Sequence, residues 1–273
     1  MSAKIITVWG SPASGKTILA LAIGAHFADE KKNVIIIDGS KLIPGLSVYM
    51  PKDKFTSADS IGPLLMSNRY TDQELAQRIK PHEKSEYLAF MGLSSAENYI
   101  TYHEFSKESV IRMINKLGTQ ADFLIIDGTS NPLENMITLT GLEISDAVIR
   151  VMTADVKGIA YMKAAQNIYR DEQFKFDRHI TVLGNVKNIS PETEIMTVMG
   201  SFDHLLNYSY EAENKMMSGG LMKDFGRSDG LKFEKTVSEI CCRLISSETD
   251  VQIEKPAKKT KLRKDRSIKS DEH

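Results

Sequence analysis

Apolar residues in this chain come in short unbroken runs rather than in alternation. Lys4-Ile5-Ile6-Thr7-Val8-Trp9, Asn33-Val34-Ile35-Ile36-Ile37-Asp38 and Asp122-Phe123-Leu124-Ile125-Ile126-Asp127 are dominated by consecutive apolar or β-branched positions. Asp146 to Met152 and Ile180 to Leu183 follow the same habit, and Leu88 to Leu93 makes a further candidate strand. A strand buried on one face alternates. A strand apolar at both parities is buried on both faces, which is the habit of a parallel sheet covered by helices on each side. Helix-length segments lie between these runs: Thr17 to Phe27, about Asp72 to Ile79, the stretch opened by Ser106 and stopped at Gly118, about Val156 to Asp171, and about Gly230 to Ile245. Residues 39–80 are less regular and carry Pro44, Pro51 and Pro63. The alternation predicts an α/β architecture, a three-layer, doubly wound, mostly parallel sheet.

Between the first run and the first helix stands Gly10-Ser11-Pro12-Ala13-Ser14-Gly15-Lys16-Thr17, which fits G-x-x-x-x-G-K-[ST]. The expression alone is moderately specific; flanked by a strand and a helix, it predicts a P-loop NTPase fold. Gly10 and Gly15 admit backbone turns closed to other residues, so that successive N–H groups and the helix N-terminus face an anion. Residues 10–18, ending in Ile18, are therefore the expected phosphate cradle. Lys16 is expected on the β- and γ-phosphates and the Thr17 hydroxyl on Mg²⁺.

Two further acids end buried runs. Asp127 closes Phe123-Leu124-Ile125-Ile126 in the form of a Walker B strand, and Asp38 closes the second run. An acid at the carboxyl end of a central strand faces the crevice where such sheets bind ligands, so Asp38, Asp127 and Thr17 make the expected metal set. Asn185, at the end of a late strand, is either a base-binding side chain or a turn residue.

The order of these parts resembles the MinD/ParA-type P-loop ATPases over roughly residues 3–247. The resemblance runs through Ala121 to Pro132, Leu142 to Met152 and the late Leu206-Asn207-Tyr208-Ser209-Tyr210-Glu211, where Asn207 replaces the usual proline. Within that superfamily the chain is most similar to the CpaE/TadZ-like branch, whose members help place Tad (Flp) pilus or related secretion machinery. The resemblance implies ATP and Mg²⁺ as cofactors and a homodimer. It implies a secretion or pilus ATPase, or a polar scaffold protein, as partner. It also implies a lysine after the first P-loop glycine and a second acid two residues after Asp38. Here those positions are Ser11 and Ser40. A serine supplies no cation, and its hydroxyl is too weakly acidic to serve as a general base. The expectation is Mg-ATP binding with weak or absent hydrolysis, Lys16 stabilising phosphate. Two other readings stay open: a ParA-like partition ATPase on nonspecific DNA, and a dethiobiotin-synthetase-like ATP-dependent enzyme.

The remaining chemistry narrows the classes. The chain of 273 residues carries a net charge of −1, which offers no overall field for nucleic acid or membrane. Charge is uneven: residues 251–273 hold eight Lys/Arg against four acids, leaving the body at −5. The expected division is a P-loop domain over residues 1–250 and a basic, disordered tail over 251–273, a candidate contact for an anionic membrane surface or, less favoured, for nucleic acid. Cys241 and Cys242 lack metal spacing and read as core thiols of a reduced compartment. The six histidines show no metal pairing, and the methionines, Met196, Met199, Met216 and Met217 among them, read as core filling. With no signal peptide and no run of roughly 18 apolar residues, a cytoplasmic location is expected.

Overall fold

The computed structural model describes residues 2–45, 50, 55–67 and 69–246. The basic tail expected over 251–273 lies outside the described residues.

Eight strands form one sheet: β1 (Lys4–Gly10), β2 (Val34–Asp38), β3 (Lys80–His82), β4 (Ser85–Met91), β5 (Phe123–Asp127), β6 (Ala147–Thr153), β7 (Ile180–Val186) and β8 (His204–Asn207). Their order is β3-β4-β2-β5-β1-β6-β7-β8. All neighbours run parallel except the β3–β4 hairpin at one edge. The described helices are α1 (Lys16–Asp29), α2 (Gly62–Ser67), α3 (Asp72–Ala76), α4 (Lys107–Leu117), α5 (Met136–Ile144), α6 (Val156–Ile168), α7 (Glu192–Met199), α8 (Tyr210–Met217) and α9 (Ser228–Ser246).

The unbroken apolar runs are explained by what covers them. On one face Ile6, Val8, Ile36, Ile125, Val151 and Val182 pack with α1 and with Phe233, Val237 and Ile240 of α9. On the other, Ile35, Ile37, Leu124 and Ile126 pack with Val110, Met113 and Leu117 of α4 and with α2 and α3. Trp9 and Val148 meet Leu142 of α5 and Ala165 of α6 on that same side. Alternate residues of each strand thus enter two separate cores, and both parities must be apolar. Helix α1 is buried from Leu19 to Ala25 because it lies between the sheet and α9.

Several expectations shift at their edges. The helix expected over 72–79 stops at Ala76, and that expected over 156–171 stops at Ile168, where Tyr169 caps it. The strand expected at 88–93 runs from Ser85 to Met91 because it also pairs with β3. Helices α2, α5, α7 and α8 and the edge strands β3 and β8 were not anticipated. These short elements take their structure from the faces they cover. Cys241 is buried but Cys242 is exposed, since adjacent helical positions point about 100° apart. Met217 is 71% exposed, so it is not core filling, whereas Met216 packs against the core.

Candidate functional site

The loop between β1 and α1 is shaped by left-handed backbone at Gly10 (φ 147°), Ala13 (φ 54°) and Gly15 (φ 87°). The two glycines are needed for different reasons. A Cβ on Gly10 would lie 1.8 Å from the Val151 carbonyl oxygen of β6, while one on Gly15 would meet nothing within 4 Å. Close approach to β6 requires the first; backbone conformation alone requires the second. Helices α3, α4, α5, α6 and α8 start with Thr71, Ser106, Asn135, Asp155 and Ser209, each accepting a backbone N–H. Helix α1 starts at Gly15 with no side-chain cap. Its first N–H groups are left for another acceptor, and a helix N-terminus in that state favours an anion.

Lys16 folds back over the loop. Its ammonium donates to the Ser11 carbonyl at 2.7 Å and to Ser130 Oγ at 2.9 Å. Ser14 Oγ donates to the same Ser11 carbonyl at 2.8 Å. Burial pushes the Lys16 pKa down from its ordinary range, and the charge of Asp127 pulls the other way. Asp127 shifts upward, first through burial and then through the neighbouring charge of Asp38. The Thr17 side-chain hydrogen bond and Lys16 oppose that rise. Asp38 and Asp127 are register partners at the carboxyl ends of β2 and β5, so the sheet holds the two acids side by side.

The acids differ in what already satisfies them. Asp38, buried, accepts the backbone N–H of Ser40 at 2.8 Å and of Gly45 at 2.7 Å, so both its oxygens hold the loop after β2. Asp127 Oδ1 is sealed from solvent without a hydrogen-bond partner, as is the Thr129 hydroxyl two residues on. A buried, unpartnered carboxylate oxygen is costly. A hydrated divalent cation shared with Thr17 and phosphate oxygens would relieve it, and this donor set of acid and hydroxyl oxygens suits Mg²⁺. Among the described residues no group of three His, Cys, Asp or Glu stands ready to hold a metal by itself, so the ligand would have to supply part of the shell.

The two serines at the substituted positions have structural partners. Ser11 is 1% exposed; its hydroxyl accepts from Thr153 N at 2.9 Å and lies 3.0 Å from Thr153 Oγ1. It therefore ties the loop to the end of β6 instead of reaching outward. Ser40 Oγ donates to the Ile43 carbonyl at 2.7 Å and closes its own turn. Asn185 has left-handed backbone (φ 55°), and its amide nitrogen approaches the Ala13 carbonyl at 3.4 Å, so the end of β7 faces the P-loop. Pro12 and Ala13 are exposed at the loop's tip, and Ile18 packs against the α1 side of the core.

Residues missed in the sequence complete the arrangement. Ser130 accepts Lys16, and the Tyr161 hydroxyl of α6 holds the Ser130 carbonyl at 2.6 Å. Asn135 donates to the Gly39 carbonyl, and Gly39 N donates to the Asp127 carbonyl at 2.9 Å, which straps the loop after β2 to the segment after β5. Asn135 carries a local signal as the cap of α5, but its bond to Gly39, like the roles of Ser130 and Tyr161, is set by segments far away in the chain. Beside Ser130 opens a cleft whose lining includes Lys41, Leu42, Ile43, Tyr99 and Leu133. Leu42 and Ile43 are 64% and 75% exposed, so the rim of the cleft is apolar and uncovered.

The same fold occurs in solved structures. A ParA family ATPase from Chlorobium tepidum matches with a TM-score of 0.70 at 14% identity, over 88% of this chain and 99% of that one. MinD from Pyrococcus horikoshii in complex with Mg-ADP matches at 0.67 and 15% identity, over 91% and 100%. A variant of McdA from Cyanothece in complex with ATP matches at 0.66 and 16%, over 92% and 99%. These likenesses establish the P-loop fold of the MinD/ParA type. No family model matches the chain, and no curated protein does.

Proposed function

We propose that this protein binds Mg-ATP in the loop of residues 10–18 and acts as a nucleotide-dependent localisation or assembly factor rather than as a metabolic enzyme. The observation that carries the reading is the pairing of an uncapped α1 N-terminus with an unpartnered, buried Asp127 oxygen. One calls for an anion and the other for a cation, and a magnesium-bound triphosphate brings both. Lys16 would hold the terminal phosphates, Thr17 and Asp127 the metal, and Asn185 the base. Asp38 sits beside Asp127 and would act through the metal's water shell.

Hydrolysis is slow in this reading. Ser40 is turned onto Ile43 O and has no basic group to activate water, and Ser11 is locked on Thr153. ATP then works as a binding signal, which requires that it favour one state of the protein over another. A homodimer formed over the cleft is the state we favour, because Leu42, Ile43, Tyr99 and Leu133 leave an apolar rim there. The sequence resemblance to CpaE/TadZ-like proteins points to a pilus or secretion ATPase, or a polar scaffold, as the recruited partner. No described helix is long and apolar enough to cross a membrane. A cytoplasmic placement, polar through its partners, belongs to the same proposal.

Light scattering with Mg-ATP, with Mg-ADP and without nucleotide tests this, with Lys16→Ala as control. A dimer seen with Mg-ATP alone, and lost in Lys16→Ala, is expected. An unchanged mass under all conditions would overturn the switch. Salt-dependent DNA binding by the full chain would instead favour the partition reading.

A further inference from the structure

The cleft beside Ser130 contains a second lysine that the nucleotide site has not used. Lys41 stands three residues beyond Asp38, in the loop held by Asp38 and strapped to β5 through Gly39. Among the described residues lining the cleft it carries the one permanent positive charge, against Glu104 and Glu134. Its ammonium donates to the His103 carbonyl and lies 5.2 Å from the centre of the Phe105 ring. No described carboxylate pairs with it directly. Burial lowers its pKa, and the more distant charge of Glu104 opposes that shift.

Such an ammonium is held weakly. Its described contacts are one neutral carbonyl and one ring face at a half-open position, and neither matches a phosphate oxygen, whose charge-assisted bond is about twice as strong as a neutral one. A lysine head on a four-carbon stem moves readily between two acceptors. The cleft reaches Ser130, the residue that accepts Lys16. A terminal phosphate held by Lys16 would therefore border the same cleft that Lys41 lines.

We propose that Lys41 is a sensor of the terminal phosphate: it leaves the His103 carbonyl to contact the γ-phosphate of bound ATP, and it has no such contact to make with ADP. The inference rests on the nucleotide reading given above. Its consequence is regulatory. When the ammonium leaves, the segment 99–105 loses one of its anchors to the loop after β2, and this segment carries Tyr99 and Ile100, which are 55% and 73% exposed. The presence of a third phosphate is thereby passed to an exposed apolar surface.

Calorimetric titration with Mg-AMPPNP and Mg-ADP, on the full chain, decides it. Lys41→Ala and Lys41→Gln should each weaken AMPPNP by at least about tenfold, the worth of a hydrogen bond to a charged group, and leave ADP affinity unchanged. Lys41→Arg should restore most of the loss. Lys41→Gln keeps part of the side chain's bulk without its charge and so guards against a packing effect of the alanine. Equal weakening of both nucleotides, or of neither, would overturn the sensor. Lys16→Ala separates the two levels of inference. If wild type binds both nucleotides and Lys16→Ala binds neither, the nucleotide reading stands whatever Lys41 does. If wild type binds neither, both readings fall together.

Discussion

Trp9, the last residue before the P-loop, donates its indole N–H to Nδ1 of His179 across 3.4 Å. The other ring nitrogen of His179 bonds the Phe174 carbonyl at 2.8 Å, so the imidazole is buried, neutral and engaged on both sides. Tyr169 and Phe176 close edge-on around the indole. The segment before β7 is thus fastened to the strand that delivers the phosphate loop.

This pair predicts an acid-sensitive fold. Burial pushes the His179 pKa down to about 4, the Phe174 bond opposes the shift, and Arg150 adds to it. The unfolded chain takes up its proton near pH 6.5, whereas the folded protein resists until about 4. The contribution is therefore complete above pH 6.5 and is lost as pH falls from 6.5 towards 4, amounting to roughly 2 kcal/mol by pH 5. Trp9 is the one tryptophan in the chain, so its fluorescence reports the transition directly. Melting should drop in this window, and His179→Gln should flatten the drop. An equal pH slope in that variant would reject the assignment. His82 and His204, also shifted down mainly by burial, add to the slope, and Asp127, shifted up by burial, opposes it.

The two P-loop glycines should differ in their tolerance of alanine. Gly10→Ala drives a methyl group into the Val151 carbonyl, so β1 and β6 must separate, and a loss above about 3 kcal/mol is expected. Gly15→Ala meets no atom and pays only for left-handed backbone, about 1–2 kcal/mol. Urea unfolding of both variants measures the ranking, and the reverse order would contradict the steric account.

Ser11 is expected to matter for stability before it matters for chemistry. Ser11→Ala leaves the Thr153 N–H buried without its acceptor, at a cost of about 1–3 kcal/mol. Ser11→Lys should cost more, because the longer side chain has to leave the pocket that the serine fills. Denaturation midpoints check both, and a lysine variant as stable as wild type would show that the loop moves freely from β6.

Metal dependence should run through Asp127. With wild type, Mg²⁺ should raise the thermal stabilisation given by ATP, and EDTA should remove that increment. Asp127→Asn should show no difference between the two conditions, since the amide lacks the anionic oxygen that stands unpartnered. Its melting without ligand should equal or exceed that of wild type, because a buried charge has been removed. A Mg²⁺ increment that survives in Asp127→Asn would place the metal elsewhere.

Much of the fold was written locally. The doubly wound sheet follows from strands such as Val34–Asp38 that are apolar at both parities, and the loop at 10–17 follows from glycines whose backbone few other residues can adopt. Caps such as Ser106 and Asp155 are equally legible, because a helix start is decided within four residues. These features depend on steric preference and burial period, which a short stretch of chain carries in full. Tertiary structure decided the rest. The order of strands, the antiparallel β3 edge and the pairing of Asp38 with Asp127 come from which surfaces fit together. So does each partner that fixes a side chain's role: Thr153 for Ser11, Ser130 for Lys16, His103 for Lys41 and His179 for Trp9. These contacts join residues 62 to 170 positions apart. Their energy depends on register and distance in the folded sheet, and neither quantity exists until the strands have paired.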